Sequence, residues 1–208
     1  MIVDDASARA YVAGLCDASA MVRLERLLAM LGEENGRQNL VSRASLDRAW
    51  QRHIADSAQL LRFVARQPAR PWLDLGSGAG FPGLVVAVMR PAWSVRLVES
   101  RRKRIDWLEH VATELGLANC QVEGERLQNL ASFPAGVISA RAFAPLPETL
   151  ALAARFSTSA TTWLLPKGRS AAQELEQLPR EARKLFHVEQ SLTDLEAGIV
   201  VSKEATSA

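Results

Sequence analysis

Four glycines lie among the eight residues from 76 to 83, within the stretch WLDLGSGAGFPG that begins at Trp72. Glycine accepts positive φ angles and lets a ligand approach the backbone closely, at a cost of about 0.5–1 kcal/mol relative to alanine in regular structure. The apolar run 72–75 predicts a strand before this loop, and LVVAVMR (84–90) predicts a helix after it. A glycine-rich turn between a strand and a helix is typical of nucleotide and nucleoside sites, because backbone N–H groups and the helix N-terminus face the ligand there.

Two cofactor classes fit the glycine loop. Residues 78–83 match the dinucleotide fingerprint G-x-G-x-x-G, and Glu99 lies about twenty residues further on, as a nicotinamide site requires. In that alternative the fingerprint begins after Gly76 at the strand exit, and the charge of Asp74 inside the strand has no explanation. The string Asp-x-Gly-x-Gly-x-Gly from Asp74 to Gly80 instead resembles the S-adenosylmethionine loop of the seven-stranded methyltransferases.

The second strand supports the S-adenosylmethionine interpretation. Glu99 closes the stretch VRLVES, where a carboxylate can accept hydrogen bonds from both hydroxyls of a ribose. Taken singly, Asp74 and Glu99 could equally be solvated acids at strand ends. Because the glycine loop lies between them at this spacing, we predict that Asp74, Gly78 and Glu99 bind the cofactor.

The N-terminal third of the chain predicts helices. Apolar residues recur at intervals of three and four over 7–31, with Gly32 and Gly36 expected to close that helix. The same periodicity over 45–67 predicts a second helical stretch that ends before two prolines. The chain is therefore expected to divide into an N-terminal helical part (1–70), packed on the core and not independent, and a core (71–208). The resemblance of the glycine loop implies that this core is an S-adenosylmethionine-dependent methyltransferase.

From Trp72 onward strands and helices alternate. Further strands are predicted at SVRLVES (94–100), CQV (120–122), GVISAR (136–141), TTWLLPKG (161–168), KLFHVEQSL (184–192) and GIVVSKE (198–204), the last two paired antiparallel. The helices between them are predicted over 101–117, 145–156 and 170–178. This alternation predicts an α/β fold with a mostly parallel sheet, helices on both faces and an N-terminal helical extension. The resemblance of the glycine loop to that of the seven-stranded methyltransferases implies that the sheet has seven strands and that the fold is of the Rossmann-like class I methyltransferase type. Ligands then bind at the carboxyl ends of the strands.

The composition excludes several other classes of protein. With 48% hydrophobic and 23% charged residues the chain is neither disordered nor fibrous, and its net charge of +2 permits a nucleic-acid partner only if the basic residues are clustered. Cys16 and Cys120 have no metal or redox spacing, so no metal site is expected. Neither a secretory signal nor an apolar run of membrane-spanning length is evident, so we expect a cytoplasmic protein without a membrane partner.

Six stretches, the glycine loop among them, resemble one family, the small-subunit (16S) ribosomal RNA guanine-N7 methyltransferases once called glucose-inhibited division protein B. They are NLVSR (39–43), RHIADS (52–57), DLGSGAGFPG (74–83), VESRRKRIDWL (98–108), VISARAFAPL (137–146) and LLPKG (164–168). The resemblance implies S-adenosyl-L-methionine as cofactor and N7 of one guanine in the 530 loop of 16S rRNA as acceptor. The partner would be 16S rRNA within the small ribosomal subunit or an assembly intermediate, and the protein is expected to be a monomer.

The resemblance also implies roles for individual residues. The cofactor contacts it implies are Gly76, Phe81, Leu127, Gln128 and Arg141. The catalytic cleft would contain Asn39, His53, Arg126, Arg141 and Lys167, and the basic run Arg101, Arg102, Lys103 and Arg104 is predicted to bind RNA.

Each of these polar residues also has a simpler interpretation. His53 and Asp56 are one helical turn apart and could form a side-chain pair, and Asn39 could make a loop hydrogen bond. The run 101–104 could be a solvated face, although cations in the first turn of a helix oppose the helix dipole, which favours a phosphate-facing role. The chain departs from the family at Ala197 and Gly198, where an Arg-His pair is usual, and Arg169 is a candidate substitute for the arginine.

The chemistry of guanine N7 agrees with what the sequence lacks. N7 carries an in-plane lone pair and no proton, so methyl transfer needs alignment and a water-poor pocket and no general base. No nucleophilic cysteine, paired carboxylates or NPPY-type motif for exocyclic amines stands out. Methylation of a small molecule or protein is the alternative, and a non-catalytic ribosome-binding module is a third.

Overall fold

Seven strands form the centre of the protein, and the computed structural model describes residues 1–64 and 67–203. The strands are β1 (Trp72–Leu75), β2 (Val95–Val98), β3 (Cys120–Glu123), β4 (Val137–Ala140), β5 (Thr162–Gly168), β6 (Phe186–Gln190) and β7 (Gly198–Ser202). Their order in the sheet is β3-β2-β1-β4-β5-β7-β6. β1 to β5 are parallel, whereas β7 pairs antiparallel with β5 and β6. The predicted mostly parallel seven-stranded sheet and its antiparallel last pair are confirmed.

Helices flank the sheet and precede it. They are α1 (Asp5–Ala13), α2 (Ala18–Gln38), α3 (Arg43–Leu46), α4 (Asp56–Ala58), α5 (Gly83–Met89), α6 (Arg102–Glu114), α7 (Leu146–Ala153), α8 (Ala171–Glu176) and α9 (Arg180–Lys184). A π-helical turn (Trp50–Ala55) precedes α4, and 3₁₀ turns follow α4 (Gln59–Phe63) and α7 (Ala154–Phe156). The four helices predicted after Trp72 correspond to α5 to α8, and α9 is an addition that the sequence pattern did not predict.

The predicted helix over 7–31 is wrong as one element. Two helices occupy this region, because the side chain of Asp17 accepts a hydrogen bond from the N–H of Ala20 and begins α2 afresh. Gly32 and Gly36 do not close α2, which continues to Gln38. An exposed glycine costs a helix about 1 kcal/mol, and the buried apolar face of α2 offsets that cost.

The predicted helical stretch over 45–67 is broken into shorter pieces. Ser42 caps α3 through the N–H of Ser45, and the chain then passes through the π-helical turn, α4 and the first 3₁₀ turn. Residues 65 and 66 of this prediction lie outside the described residues. A π-helical turn is frequent at functional sites, and here it contains His53.

Two apolar clusters lie on opposite faces of the sheet. Successive residues of the central strands alternate between them: Trp72 belongs to one cluster, and its neighbour Leu73 to the other. The first cluster joins the sheet to α5, α6 and the N-terminal helices, with Leu24 and Leu84 fully buried in it. The second joins the sheet to α7 and α8. The carboxyl ends of β1, β2 and β4 are thereby held rigidly at one edge.

None of the helices in the described part of the chain is both long enough and apolar enough to cross a membrane.

Candidate active site

The glycines after β1 fall into two pairs with different roles. A Cβ on Gly80 would lie 2.1 Å from Cδ1 of Leu84, and one on Gly83 would lie 2.2 Å from Cδ2 of Leu97, so this pair lets α5 pack on the sheet. Gly76 and Gly78 have φ angles of +60° and +57°, which side chains rarely permit. Gly80 also has a positive φ, of +101°. Gly76 lines the cavity at the carboxyl edge of the sheet, and the N–H of Gly78 faces Glu99 beside it.

Asp74 lies beneath the loop and is fully buried. Its Oδ1 accepts a hydrogen bond from the hydroxyl of Ser139 at 2.7 Å, and its Oδ2 accepts one from the N–H of Gly83 at 3.2 Å. Burial raises the pKa of this carboxyl from 3.8 to about 6, although those hydrogen bonds oppose the shift. The structure therefore supplies an internal reason for an acid inside β1, and a cofactor contact from Asp74 stays a prediction.

Glu99 follows β2 and is also buried, with 6% of its surface exposed. Its carboxylate accepts hydrogen bonds from the N–H groups of Gly78 at 3.1 Å, Ser100 at 2.7 Å and Arg101 at 2.9 Å. A carboxylate offers about four lone-pair sites, so about one is left for a ligand hydroxyl. The predicted pairing with both hydroxyls of a ribose would require the carboxylate to share or exchange a backbone contact.

A cavity of about 390 Å³ opens beside the glycine loop. Among its lining residues are Gly76, Glu99, Arg101, Arg104, Arg126, Leu127, Gln128 and Phe143. Four of the predicted cofactor and catalytic positions thus meet Glu99 in one place, as the carboxyl-edge argument requires. A loop that offers backbone groups without side chains, next to a buried carboxylate, fits a nucleoside cofactor such as S-adenosylmethionine.

The four residues of the basic run 101–104 face different surroundings, because α6 begins within the run. Arg101 is the residue before the helix, so only three of the four cations lie in its first turn. Arg101 and Arg104 line the cavity, and Nη1 of Arg104 lies 4.0 Å from Oε2 of Glu99. Arg102 forms an exposed ion pair with Asp106 at 2.9 Å, and Lys103 faces a groove between α2 and α6.

A larger cavity of about 720 Å³ lies beyond the end of β4. Its lining includes Ser45, His53, Asp56, Arg141, Phe143 and Lys167. The structure therefore brings three of the predicted catalytic residues, His53, Arg141 and Lys167, into one cavity.

Arg141 contacts both His53 and Asp56, the two residues that the sequence places one helical turn apart. Its Nη2 lies 3.2 Å from Nδ1 of His53, and its Nη1 donates to Oδ2 of Asp56 at 3.3 Å and to the carbonyl oxygen of Arg52 at 3.1 Å. The guanidinium group also lies 5.3 Å from the ring centre of Phe81. In the described residues the side chains of His53 and Asp56 share no direct hydrogen bond, so the simple side-chain pair is replaced by a bridge through Arg141.

His53 is buried and neutral. Burial, and then the nearby charges of Arg141 and Arg52, lower its pKa from 6.5 to about 3. Because arginine cannot accept a hydrogen bond, Nδ1 of His53 is the acceptor, and the proton lies on Nε2, 3.2 Å from Oγ of Ser45. The ring stacks on Phe81 with centroids 4.8 Å apart. The predicted cofactor residue Phe81 thus supports the wall of the larger cavity.

The turn between β6 and β7 closes the other side of this cavity. Oδ1 of Asp56 accepts a hydrogen bond from the hydroxyl of Thr193 at 2.8 Å, and Arg52 pairs with Asp194 at 3.0 Å. Ala197 and Gly198 also line the cavity, so small residues stand where the family usually has Arg-His. Arg169 reaches this turn through an exposed ion pair with Glu196.

Two predicted catalytic residues differ in their surroundings. Lys167 is largely buried, and its Nζ donates to the carbonyl oxygen of Ala144 at 2.5 Å and to Glu174 at 3.1 Å. Asn39 lies outside both cavities: it ends α2 in the left-handed conformation with φ 46° and lines a separate groove. The structure does not bring Asn39 together with the other predicted catalytic residues.

Sequence reasoning missed residues that complete these cavities. Ala142, Phe143 and Ala144 line both of them, and Ala142 has a φ of +53°. Phe143 stands in the stretch RAFAPL that the resemblance already quoted, so its position after β4 was the available signal. In the part of the chain that the structure describes, no group of His, Cys, Asp and Glu could hold a metal ion.

Comparison with known proteins identifies the family. The family model described as rRNA small subunit methyltransferase G matches residues 20–202. The ribosomal RNA small subunit methyltransferase G of Erythrobacter litoralis is 62% identical over 203 residues, which cover 98% of either chain. Its namesake from Rhizorhabdus wittichii is 51% identical over 205 residues, covering 98% of this chain and 94% of that protein. This chain belongs to the rRNA small subunit methyltransferase G family.

The predicted resemblance is therefore confirmed, and with it the activity. As a member of the rRNA small subunit methyltransferase G family, the chain is an S-adenosylmethionine-dependent rRNA methyltransferase. Solved structures agree on the fold. A precorrin-6y C5,15-methyltransferase from Geobacter metallireducens superposes with a TM-score of 0.54 at 12% identity, covering 81% of this chain and 92% of that one. A ribosomal protein L11 methylase from Lactobacillus delbrueckii gives 0.55 at 14% identity, covering 73% and 78%.

Proposed function

We propose that the protein methylates N7 of one guanine in the 530 loop of 16S rRNA, with the cofactor in the smaller cavity and the guanine in the larger one. The observation that carries this arrangement is the wall between the two cavities, to which the residues 142–144 contribute on both sides. A methyl group passing from one cavity to the other has to cross at this wall.

The chain's contribution to cofactor binding is a backbone cradle. Gly76 and Gly78 leave room for the ligand, Glu99 accepts from a hydroxyl, and Leu127 and Gln128 close the far side. When bound, S-adenosylmethionine supplies an electrophilic methyl group on a sulfonium sulfur. Asp74 acts below the cradle by fixing the N–H of Gly83 and the hydroxyl of Ser139.

The pocket for the guanine needs hydrogen-bond donors to the oxygen O6, and it needs no general base. The lone pair of N7 forms the new N–C bond while the sulfur–carbon bond breaks and its electron pair returns to sulfur, so no proton is released. Guanine presents O6 beside N7 as an acceptor. Lys167 has three N–H donors and uses two of them within residues 1–64 and 67–203, so the third can orient O6.

Arg141 and His53 shape the pocket around the base. Arg141 is fixed by Asp56, the carbonyl oxygen of Arg52 and His53, and it carries a positive charge at the end of β4. His53 stays neutral and keeps both ring nitrogens in hydrogen bonds, which suits a wall residue and not a proton acceptor. We propose that Arg141, His53 and Lys167 position the guanine after it leaves its stack.

The partner and location follow from the same function. We propose that the protein acts as a cytoplasmic monomer on 16S rRNA inside the small subunit or an assembly intermediate. Arg101, Arg104 and Arg126 line the smaller cavity, Lys103 lines the neighbouring groove and Arg102 is exposed beside them, where RNA phosphates could approach. We propose that Asn39 contributes from the edge of this surface and not from the cavity.

Small subunits purified from a strain that lacks this protein test the proposal. Incubation with the protein and S-adenosylmethionine is expected to place one N7-methylguanosine in the 530 loop, mapped by strand cleavage at that base. Arg141→Lys serves as the control for activity carried over from the host. Methylation of a different base, or of a protein or small molecule alone, would overturn the proposal. Naked 16S rRNA and assembly intermediates, assayed in parallel, identify the substrate particle.

A further inference from the structure

Phe143 occupies the boundary between the two cavities. It lines both of them, together with Ala142 and Ala144, and it is the one of these three that carries a large side chain. Its surface is only partly buried. The aromatic side chain therefore borders the smaller cavity on one side and the larger cavity on the other.

The backbone around Phe143 is shaped to hold the ring against the glycine loop. A Cβ on Gly76 would lie 2.6 Å from Cδ2 of Phe143, so a side chain at position 76 would displace the ring. Ala142 adopts the left-handed conformation just before it, which alanine rarely does. Backbone conformations of this kind concentrate at functional sites, where the surrounding structure maintains them.

The faces of the ring have no stacking partner within the described residues. The neighbouring aromatic side chains His53 and Phe81 stack on each other, and Arg141 lies over Phe81. Across residues 1–64 and 67–203, no aromatic ring or cation stacks on Phe143. Phe143 packs part of its surface against the apolar cluster that includes α7. This packing does not cover the part of the ring that faces the two cavities.

We propose that the ring of Phe143 is the stacking surface for the target guanine and so positions N7 at the passage between the cavities. This inference rests on the proposed function, because it needs a base in the larger cavity. A base stacked on an aromatic side chain gains affinity through its π-face, and an aliphatic side chain of similar volume does not replace that contact. Phe143 is then a binding residue that sets the alignment of the acceptor.

Binding of unmethylated small subunits to the protein saturated with S-adenosylhomocysteine tests the inference. Phe143→Leu keeps an apolar side chain against Gly76 and removes the ring, whereas Phe143→Tyr keeps the ring. Phe143→Leu is expected to weaken binding of the subunit by about tenfold or more, and Phe143→Tyr by less than about threefold. Phe133→Leu is the matched control, because Phe133 is also partly buried and packs on Phe156 in the same apolar cluster. It should leave binding unchanged.

Affinity for S-adenosylhomocysteine, measured by calorimetry, separates the alternatives. Retention of cofactor affinity in Phe143→Leu, together with weaker subunit binding, supports the stacking role. Loss of cofactor affinity with unchanged subunit binding would show that the ring is a cofactor wall and would overturn the inference. Equal losses in Phe143→Leu and Phe143→Tyr would overturn it as well, because packing alone would then explain them. Failure of the wild-type protein to methylate the 530 loop would instead overturn the proposed function.

Discussion

Nη2 of Arg141 lies 3.2 Å from Nδ1 of His53, although 88 residues separate them in the sequence. The contact gives the imidazole a fixed tautomer, because only Nδ1 without a proton can face a guanidinium group. It also places a permanent positive charge beside His53, which together with burial lowers the pKa of the ring to about 3. His53 is therefore uncharged at neutral pH.

A neutral His53 predicts a rate of methyl transfer that does not depend on its titration. Single-turnover methylation at saturating cofactor and subunit should be nearly constant from about pH 6.5 to 9, without a bell-shaped profile. His53→Asn should lower the rate by loosening Arg141 and Phe81, and its profile should stay equally flat. A wild-type rate that rises steeply near pH 6.5, with the rise absent from His53→Asn, would identify a general base and contradict acceptance by N7.

Substitution of Arg141 tests the bridge itself. In Arg141→Lys the charge is kept, but one ammonium group cannot replace the planar contacts with His53, Asp56 and the carbonyl oxygen of Arg52. The methylation rate should fall about tenfold or more, and affinity for the subunit should fall as well. Cofactor affinity should change less than about twofold, since Arg141 lines the larger cavity.

Arg96→Lys is the matched control for that experiment. Arg96 on β2 pairs with Glu123 at 3.3 Å, and it also carries one positive charge at the surface of the sheet. Its conversion should leave the methylation rate unchanged. A loss in Arg141→Lys that appears only as weaker cofactor binding would assign Arg141 to the cofactor, as the family resemblance suggests.

The sheet could be predicted because its pattern is local. Apolar runs bounded by glycine, proline or charge mark each strand, and the glycine loop and Glu99 fall at strand ends by counting along the chain. The prediction for 7–31 failed because the periodicity passes through the break at Asp17, where a cap restarts the helix. The π-helical turn at 50–55 has a helical pattern too, so the pattern alone could not distinguish it.

The site could be predicted only in outline. The resemblance implies Arg141 and His53 as cleft residues, but their contact depends on how the π-helical turn (Trp50–Ala55) packs across the end of β4. The charge of Asp74 indicated a ligand contact, whereas in the structure Ser139 and Gly83 donate hydrogen bonds to its carboxyl group. The sequence did not predict Phe143 as a site residue, because a phenylalanine in an apolar stretch is ordinarily a core residue.

The glycine loop gives a prediction with a close control. Gly78→Val places a branched side chain at a φ of +57°, against the guanidinium group of Arg104. It should abolish binding of S-adenosylmethionine, as measured by calorimetry, and destabilise the fold by about 1–2 kcal/mol. Gly116→Val meets the same backbone strain, with a φ of +62° and open space around it at the end of α6. That variant should lose similar stability and keep the cofactor, and an unchanged affinity in Gly78→Val would remove the loop from the site.

The basic run before and within α6 predicts a salt effect. Replacement of Arg101 and Arg102 by glutamine should weaken RNA binding and flatten its dependence on log salt by about one unit for each lost phosphate contact. Arg180 and Arg183 on α9 lie at the opposite edge of the sheet, and the same double replacement there is the control. Its salt dependence should match the wild type. A slope that is equally unaltered in the Arg101 and Arg102 variant would indicate a solvated face.

Asp74 predicts how stability depends on pH. The pKa of Asp74 is about 6 in the folded protein, compared with its usual value of 3.8. Between these two pH values the carboxyl group therefore takes up a proton when the chain folds. The stabilisation from this group is fully present below about pH 3.8 and is lost as pH rises through about 6. His53 acts in the opposite sense: its lowered pKa makes stability rise with pH between about 3 and 6.5. A wild-type curve alone therefore mixes two opposing effects.

Asp74→Asn separates them, because both proteins keep His53. The asparagine can accept from the N–H of Gly83 and donate to the oxygen of Ser139, so both partners keep a hydrogen bond to residue 74, that of Ser139 with its direction reversed. The free energy of unfolding of the wild type, minus that of Asp74→Asn, should fall by on the order of 2 kcal/mol between pH 4.5 and 7.5 in urea titrations. Asp106→Asn, at an exposed position on α6, corrects for the change in net charge. If the difference between wild type and Asp74→Asn instead stays constant across this range, Asp74 ionises in the folded protein as easily as in the unfolded chain. Its contacts with Ser139 and Gly83 would then outweigh its burial, and Asp74 would hold the loop as a carboxylate at every working pH.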